Sequence, residues 1–496
     1  MDSFQQYFRK ANSEENFQRR QPFSQFMNEQ RYSTIDTRKI HQSQIGLHSH
    51  GLNNIVNLPL VQGNVQYLAP HIVQRTDYRS FQQKSNNNPT NRNSDSNTLK
   101  LLSKRRWKSI GRRNCENKAF TFSVVSYNVL AQDLLNGHKY LYREHCNKDL
   151  DWCQRWKNVY NEIKTLNADI LCLQEVQKSH LPTHFQELQK LGYQGLYKKR
   201  TGIRCDGCAI YFKTNRIHLI EYEMVEFYQP NVSVLNRDNV AIIAKFSPKQ
   251  SPEIQFIVAT THLLYNPNRE DVRVAQTQLL LTEVERLSFC GKGQYCPIII
   301  TGDFNSTPDS DVYQLITKGC LKYSHLVDKR MQRSDSSSQS NVLMPRNLEV
   351  TDTCQHASLL KKRENDMAPS RPEEACLIKL HNSDKTLTKI TSETIYNPEW
   401  FSSGTLKHLF ALKSVYLHGK PNNREGTTFQ DEWITVDYIF YSGKKDKEGQ
   451  KVQDHKLKLE AVYTLPLTSD LGSIRIPNRL IGSDHLSLAA KFTLKF

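Results

Sequence analysis

The sequence predicts an α/β fold in which helices pack on two β-sheets. Short β-branched apolar runs alternate with longer stretches whose apolar residues recur at helical spacing. This strand–helix–strand rhythm occurs once in each half of the chain beyond residue 120. A repeat of this kind favours layers built on two sheets over one purely parallel sheet.

The first of these two halves supplies alternating strands and helices. Phe122–Leu130 is β-branched and alternates, which predicts a strand. Trp152–Leu166 carries its apolar residues on one helical stripe. Asp169–Leu173 is a short apolar run typical of a buried strand, and Leu181–Leu191 predicts a second helix that Gly192 ends.

The remaining elements follow the same logic. Val272–Leu287 has the pattern of an amphipathic helix. The other apolar runs are short enough to be strands, and they are Cys208–Phe212, Val240–Phe246, Ile254–Thr261, Pro297–Thr301, Ile434–Tyr441 and Leu486–Leu494.

Two stretches differ from this pattern. Residues 1–100 hold 26 Asn and Gln, 12 Lys and Arg and 7 Asp and Glu, a composition that cannot bury a core. We therefore predict a disordered basic Asn/Gln-rich arm over residues 1–115 and a single catalytic domain over residues 116–496. Residues from about 334 to 399 are Ser-, Lys- and Glu-rich with weak periodicity, which predicts a surface insertion.

Composition narrows the classes of function. No run approaches the roughly 18 apolar residues of a membrane-spanning helix, so we expect no membrane association. The formal net charge of +17 favours an anionic partner such as a nucleic acid. The 11 cysteines are odd in number and scattered, which favours a reducing compartment over a disulfide-bonded protein. The first residues lack an apolar signal region, so we do not expect secretion. We expect a cytoplasmic protein, with the nucleus as a second location.

Polar side chains lie where the predicted strands end, which is where scaffolds place their chemistry. Each alone is weak evidence, because a lone carboxylate is usually a surface charge and a lone histidine is usually a core residue. Six such units in one chain are hard to explain by structural needs. In order, they are Ser126-Tyr127-Asn128, Gln174-Glu175, Thr261-His262, Gly302-Asp303-Phe304-Asn305, Val436-Asp437-Tyr438 and Ser483-Asp484-His485.

This order resembles the endonuclease/exonuclease/phosphatase superfamily of metal-dependent phosphohydrolases, through Leu173–Glu175 (LQE), Gly302–Asn305 (GDFN) and Ser483–His485 (SDH). The likeness runs from about Thr121 to the end of the chain. It implies a four-layer α/β sandwich of two packed sheets flanked by helices. Within the branch of deadenylases and nocturnin, four stretches are similar to the Angel group, and they are Val124–Leu135, Arg200–Phe212, Leu235–Ala241 and Thr261–Asn266.

The resemblance and the chemistry together assign the centre of the site. Oxygen ligands suit Mg²⁺, with Mn²⁺ as an alternative, and Glu175 is the expected metal anchor, with Asn128 as a nearby ligand or water holder. Asp303 would orient or deprotonate the attacking water. Asn305 could donate its amide to the same site.

The histidines are expected to contact the phosphate. His485 would stabilise its charge in the transition state, and His262 would be a second contact. Either Asp437 or Asp484 could hold His485 in one tautomer. The resemblance favours Asp437 for that role and places Asp484 nearer the metal.

Residues around these elements are candidates for substrate binding. The arginines could grip phosphate by charge-assisted contacts, and Tyr265 could stack on a base. Ion pairing at the surface or in loops explains the arginines, Asp206 and Asn239 equally well, and a place in the core is the favoured explanation for Tyr265. The candidates are Arg204, Asp206, Arg237, Asn239 and Tyr265.

The resemblance therefore implies a monomeric Mg²⁺-dependent phosphohydrolase acting on RNA 3′ ends, with protein partners undetermined. Removal of 2′,3′-cyclic phosphates is the leading hypothesis, because the Angel-like stretches favour it. A 3′–5′ poly(A) exoribonuclease, or deadenylase, would use the same residues. A non-catalytic RNA-binding protein of the same fold is the third possibility, although no expected site residue is missing.

Overall fold

Two β-sheets form the centre of the fold in this computed structural model. The structure describes residues 89–110, 119–331, 342–367, 397–419, 424–430, 432–443, 457–472 and 474–495. Within these ranges, the strands in chain order are β1 Trp107–Ser109, β2 Ala119–Asn128, β3 Ile170–Gln177, β4 Tyr193–Lys199, β5 Asp206–Lys213, β6 Ile217–Glu226, β7 Val240–Pro248, β8 Phe256–His262, β9 Phe289–Gly291, β10 Gln294–Tyr295, β11 Ile298–Asp303, β12 Cys320–Lys322, β13 Thr405–Lys407, β14 Leu412–Ser414, β15 Thr428–Gln430, β16 Glu432–Ile434, β17 Asp437–Ser442, β18 Leu457–Tyr463 and β19 Leu488–Lys495.

One sheet has seven strands in the order β1-β18-β19-β2-β3-β5-β4, and the other has six in the order β14-β17-β11-β8-β7-β6.

The helices connect and flank these strands. In chain order they are α1 Pro89–Lys104, α2 Gln132–Gly137, α3 Trp152–Leu166, α4 Glu270–Ser288, α5 Asp311–Lys318, α6 Ser324–Met331, α7 Ala357–Met367 and α8 Thr468–Leu471. Of the helices in the described part of the chain, none combines the length and apolarity that a membrane crossing requires.

Apolar side chains hold four layers together. Between the sheets, Val124 and Ile170 of the seven-stranded sheet share a core with Ile242 and Val258 of the six-stranded sheet. The opposite face of the first sheet packs on α3, and the opposite face of the second packs on α4. This arrangement confirms the predicted four-layer α/β sandwich.

Strand pairing brings the predicted site residues to one end of the sandwich. β2 runs parallel to β3, and β8 runs parallel to β11, so the carboxyl ends of each pair lie side by side. β17 runs antiparallel to β11, and its first residue, Asp437, pairs with Asp303. Asp303 also pairs with His262 on its other side. Three of the six polar units are therefore adjacent across neighbouring strands.

Two predicted helices differ from the structure. Phe185–Leu191 is a 3₁₀ helix, and Lys178–His180 forms a separate short turn before it. Gly192 does end this segment, with a positive φ of 84°. The helix predicted as amphipathic over Val272–Leu287 is instead buried on almost all sides, because α4 is covered by the sheet on one face and by later segments on the other.

The structure also differs from the boundaries predicted for the arm and the insertion. Residues 1–88 and 111–118 lie outside the described residues, but α1 and β1 are ordered, and β1 pairs with β18 of the large sheet. The boundary predicted at residue 115 is therefore too late. Of the predicted insertion, 342–367 contributes buried Leu343 and Val350 to the core and so belongs to the fold. Residues 334–341 and 368–396 lie outside the described residues.

The core contact of α1 predicts a stability difference between two leucines in that helix. Leu101 is 3% exposed and packs in the core between the sheets, whereas Leu99 is 49% exposed. We expect Leu101→Ala to lower the free energy of unfolding by about 2–4 kcal/mol. Leu99→Ala is the matched control and should change it by less than about 0.5 kcal/mol. Urea denaturation measures both, and equal losses would contradict the packing of α1.

Candidate hydrolytic site

A bulge in β3 places Glu175 in the site. The pairing of β3 with β5 shifts register between Leu173 and Val176, and Glu175 adopts a positive φ of 57°. A bulge turns a side chain away from the direction that strand alternation would give it. The Glu175 carboxylate accepts a hydrogen bond from the backbone N–H of Ala131, 3.0 Å away.

Asn128, at the end of β2, joins this carboxylate to the other sheet. Its amide nitrogen donates to Oε1 of Glu175 and to Oδ2 of Asp303, each at 3.0 Å. Its amide oxygen accepts from the N–H of Leu130. In this orientation Asn128 aligns two carboxylates, and its predicted role as a direct metal ligand stays a prediction.

Asp303 is the centre of a row of polar groups. Its Oδ2 lies 3.5 Å from Nε2 of His262 and 3.7 Å from Nε2 of His485. The other nitrogen of His485, Nδ1, lies 2.8 Å from Oδ2 of Asp437. Of the two carboxylates proposed to orient His485, Asp437 is therefore the partner, as the resemblance favours.

The loop after β11 fixes the ends of this row. The backbone N–H of Asn305 donates to Oδ1 of Asp303 at 3.0 Å. The Asn305 side-chain amide donates to the carbonyl of Leu263, which follows His262. Asn305 thus ties together the two loops that carry Asp303 and His262.

Asp484 faces the Glu175 side of the site. Its Oδ2 accepts a hydrogen bond of 2.7 Å from the hydroxyl of Tyr142. The neighbouring Ser483 hydroxyl donates to the carbonyl of Asn128 at 2.7 Å. These two contacts attach the Ser483–His485 loop to the end of β2 and to the segment that follows it.

Burial and crowding of charge shift the pKa values of the site. Burial, together with the nearby carboxylates of Asp484 and Asp206, raises the pKa of Glu175 to about 7. Burial also raises the pKa of Asp303. Burial alone would lower the pKa of His485, but Asp437 and Asp303 hold that pKa well above its usual value.

The predicted substrate residues divide between the site and its surroundings. Asp206 is buried beside the site and accepts from Nε of Arg200 at 3.1 Å. Asn239 is buried and donates to the carbonyl of His262, so it supports the site. Arg204 instead pairs with Asp238 at 3.2 Å on the more exposed side of its loop.

The other two candidates lie near the surface. Arg237 contacts the backbone carbonyl of its neighbour Asn236 at 3.0 Å. Tyr265 is partly exposed in the loop after β8. For both, substrate binding stays a prediction.

Three residues that sequence reasoning missed support the site. They are Arg200, Tyr142 and Arg155. Arg200 and Tyr142 each bind a site carboxylate. Arg200 begins one of the Angel-like stretches, which is a sequence signal, whereas Tyr142 lies outside all four of them. Arg155 lies on the buried face of α3, three residues after Trp152 and four before Val159. A charged residue at that spacing was a sequence signal that the apolar pattern of the helix obscured.

The donor set fits a hard divalent cation. Glu175 and Asp484, which are half-buried, and the buried Asp206 bring several negative charges close together, which the raised pKa of Glu175 reflects. Asp303, Asp437 and His485 also offer atoms within 4.8 Å of one another. However, Asp437 and His485 are already hydrogen-bonded to each other. Carboxylate oxygens suit cations such as Mg²⁺, so Glu175 with Asp484 is the better place for one.

A two-sheet sandwich with an Asp–His pair and clustered carboxylates at the strand ends defines the class of phosphoester hydrolases with this fold. A profile of the Endonuclease/Exonuclease/phosphatase family, whose members generally depend on divalent metal ions, matches residues 125–485. Protein angel homolog 2 of Bos taurus is 39% identical over 404 residues, 77% of this chain and 70% of that protein. Protein angel of Drosophila melanogaster is 36% identical over 404 residues, 79% of this chain and 86% of that protein.

A solved structure of an Angel protein is also similar to this chain. The crystal structure of ANGEL2, a 2′,3′-cyclic phosphatase, in complex with adenosine-2′,3′-vanadate is similar with a TM-score of 0.62 and 36% identity. The match covers 79% of this chain and 99% of that one. The chain belongs to the endonuclease/exonuclease/phosphatase family and, within it, to the Angel proteins.

Gly302, next to Asp303, predicts a sharp stability effect. Its φ is 147°, and a Cβ there would lie 2.1 Å from the carbonyl oxygen of Thr261. We expect Gly302→Ala to cost about 2–6 kcal/mol of unfolding free energy from backbone strain and overpacking. Gly137→Ala, where a Cβ meets nothing within 4 Å, should change stability by less than about 1 kcal/mol. Similar denaturation midpoints for both variants would contradict this close approach.

Proposed function

We propose that this protein is a divalent-cation-dependent hydrolase that removes 2′,3′-cyclic phosphates from RNA 3′ ends. One observation carries the proposal: the Asn128 amide joins Glu175 to Asp303 beside the paired Asp437 and His485. The similarity to ANGEL2, described as a 2′,3′-cyclic phosphatase, supports the choice of substrate.

In the proposed reaction, Asp303 is the base. Its buried carboxylate has a raised pKa, so it can accept the proton of a water whose oxygen attacks the cyclic phosphorus. A P–O bond of the ring breaks, and the leaving 2′ or 3′ oxygen takes up the proton that Asp303 accepted from the water. The product is a phosphomonoester, and a second hydrolysis of the same kind releases inorganic phosphate.

The two histidines have different roles, because His485 acts on the phosphate and His262 lies beside the base. His485 is held protonated by Asp437 and Asp303, so its Nε2 can donate to a phosphate oxygen and stabilise the charge of the transition state. His262 is mostly buried, and this burial lowers its pKa. A neutral His262 beside Asp303 leaves that carboxylate free to accept a proton.

We infer that the cation is Mg²⁺, with Mn²⁺ as a substitute, held by Glu175 and Asp484. When bound, it offsets the negative charge of the phosphate and lowers the pKa of bound water. The chain's own contribution is to fix the two carboxylates, through Ala131 and Asn128 for Glu175 and through Tyr142 for Asp484. The net charge of +17 favours an RNA end as substrate. A cytoplasmic monomer remains part of the proposal.

The proposal predicts different outcomes for two RNAs that differ only at the 3′ end. One RNA ends in a 2′,3′-cyclic phosphate and the other in 3′-hydroxyl poly(A). With Mg²⁺, we expect the first to lose its phosphate at unchanged chain length and the second to stay intact. Shortening of the second RNA alone would establish the deadenylase alternative. No reaction with either would favour the binding protein.

Removal of either site carboxylate should abolish turnover. Glu175→Gln and Asp303→Asn should each lower kcat/KM on the cyclic-phosphate RNA by about 10³-fold or more, equivalent to about 4 kcal/mol of transition-state stabilisation. Glu253→Gln is the control, because Glu253 is exposed in the turn before β8. Activity within twofold of the parent in either site variant would refute the mechanism.

The Asp437–His485 pair predicts a separate effect. Asp437→Asn keeps the shape of the side chain but removes the charge that orients and protonates His485. We expect kcat to fall by about 10²–10⁴-fold with little change in KM. Asp470→Asn is the control, since Asp470 pairs with Lys104 at the surface. A fall in substrate affinity with unchanged kcat would place Asp437 outside the reaction.

A further inference from the structure

Arg155, in the first half of α3, is a fully buried cation outside the proposed reaction. Among the described residues, no carboxylate lies within ion-pair distance of it. Its guanidinium instead donates to neutral oxygens at 2.7–3.3 Å. These acceptors are the carbonyls of Val129, Leu130 and Gly482 and the side-chain oxygen of Gln132.

These acceptors belong to the segment after β2 that supports Glu175 and to the residue before the loop that carries Asp484. Leu130 and Gln132 lie on either side of Ala131, whose N–H donates to Oε2 of Glu175. Gly482 directly precedes the Ser483–His485 loop. One rigid, planar group therefore connects the support of Glu175 to the start of the loop that contains Asp484.

Close packing reinforces this connection. A Cβ on Gly482 would lie 2.3 Å from the carbonyl oxygen of Arg155, so the loop lies directly against the backbone of α3. Arg155 also stacks over the ring of Trp152 at 5.0 Å, which limits the freedom of its side chain. These contacts fix the N–H groups of the Arg155 guanidinium in one place, and the guanidinium in turn fixes the two segments relative to each other.

We propose that Arg155 is a positioning residue that sets the separation of Glu175 and Asp484 and so makes the cation site. The inference rests on the proposed function for its cation, but it concerns geometry and does not depend on which phosphoester is cleaved. Tyr142 holds the other end of this arrangement through its hydroxyl on Asp484.

A role as simple counter-charge makes the opposite prediction for cation binding. If Arg155 only offset the nearby carboxylates, its removal would strengthen binding of a divalent cation, because less positive charge would oppose it. If it positions the ligands, its removal should weaken binding. The sign of the change in Kd therefore separates the two roles without any measurement of turnover.

The experiment titrates the full chain with Mn²⁺, followed by electron paramagnetic resonance of the free ion, for the parent, Arg155→Met and Arg155→Lys. We expect both variants to raise the Kd for Mn²⁺ about tenfold or more. Methionine removes both the charge and the N–H donors, whereas lysine keeps the charge but lacks the planar set of donors that a guanidinium provides. Tyr142→Phe, which retains the packing of the ring, should raise it by a smaller factor. Near-ultraviolet circular dichroism at the assay temperature checks that each variant is folded.

Leu101→Ala is the control for loss of stability, because it removes core packing away from the site. Its Kd for Mn²⁺ should equal that of the parent. Tighter binding in Arg155→Met, parental binding in Arg155→Lys, or an equal loss in Leu101→Ala would each overturn the proposal. A parent that binds no Mn²⁺ would overturn it as well. A parent that binds Mn²⁺ but leaves cyclic phosphates intact would refute the proposed substrate alone, and the role of Arg155 would stand on the Kd values.

Discussion

The site depends on one hydrogen-bond donor that two carboxylates share across two sheets. Asn128 ends a strand of the seven-stranded sheet, and Asp303 ends a strand of the six-stranded sheet, yet one amide nitrogen donates to Asp303 and Glu175 together. Buried carboxylates repel each other unless a donor or cation lies between them. The amide therefore keeps the ends of the two sheets in contact where the chemistry occurs.

Further polar contact between the sheets makes this arrangement specific. Most of the layer between them is apolar, and the hydrophobic effect is non-directional, so it does not by itself select one register of the two sheets. Gln174, next to Glu175, donates across the layer to the hydroxyl of Thr260 at 2.9 Å. A shift of one sheet against the other would leave these buried groups without partners, which costs more than the bond contributes. The apolar layer thus supplies stability, and the polar contacts supply register.

Sequence reasoning succeeded where chemistry lies at the end of a regular strand. Asp303, His262 and Asp437 each follow or begin a recognisable apolar run, so the sequence predicts them at strand ends, and the pairing of those runs brings them together. It failed where position depends on a distant segment. Arg200 reaches the site only because its side chain folds back onto Asp206, and Arg155 acts through carbonyl groups that carry no side-chain signal.

The burial of helix α4 also depends on distant segments and was not predicted from its residue pattern. Its polar residues resemble a solvent-facing stripe, but Glu283 and Glu285 are buried. His356 lies 2.7 Å from Glu283, and Arg363 pairs with Glu285, both from the segment predicted as a surface insertion. Buried carboxylates require such partners, so that segment is a necessary part of the fold.

The consequence of this packing extends to the site. Gln276 lies on the same helix, fully buried, and its amide accepts from the N–H of Leu264 and donates to the side chain of Asn239. Asn239 in turn donates to the carbonyl of His262. Each of these amides has its partners only while α4 keeps its place on the sheet. The segment that covers the outer face of α4 therefore contributes, through two buried amides, to the position of a histidine that lies beside Asp303.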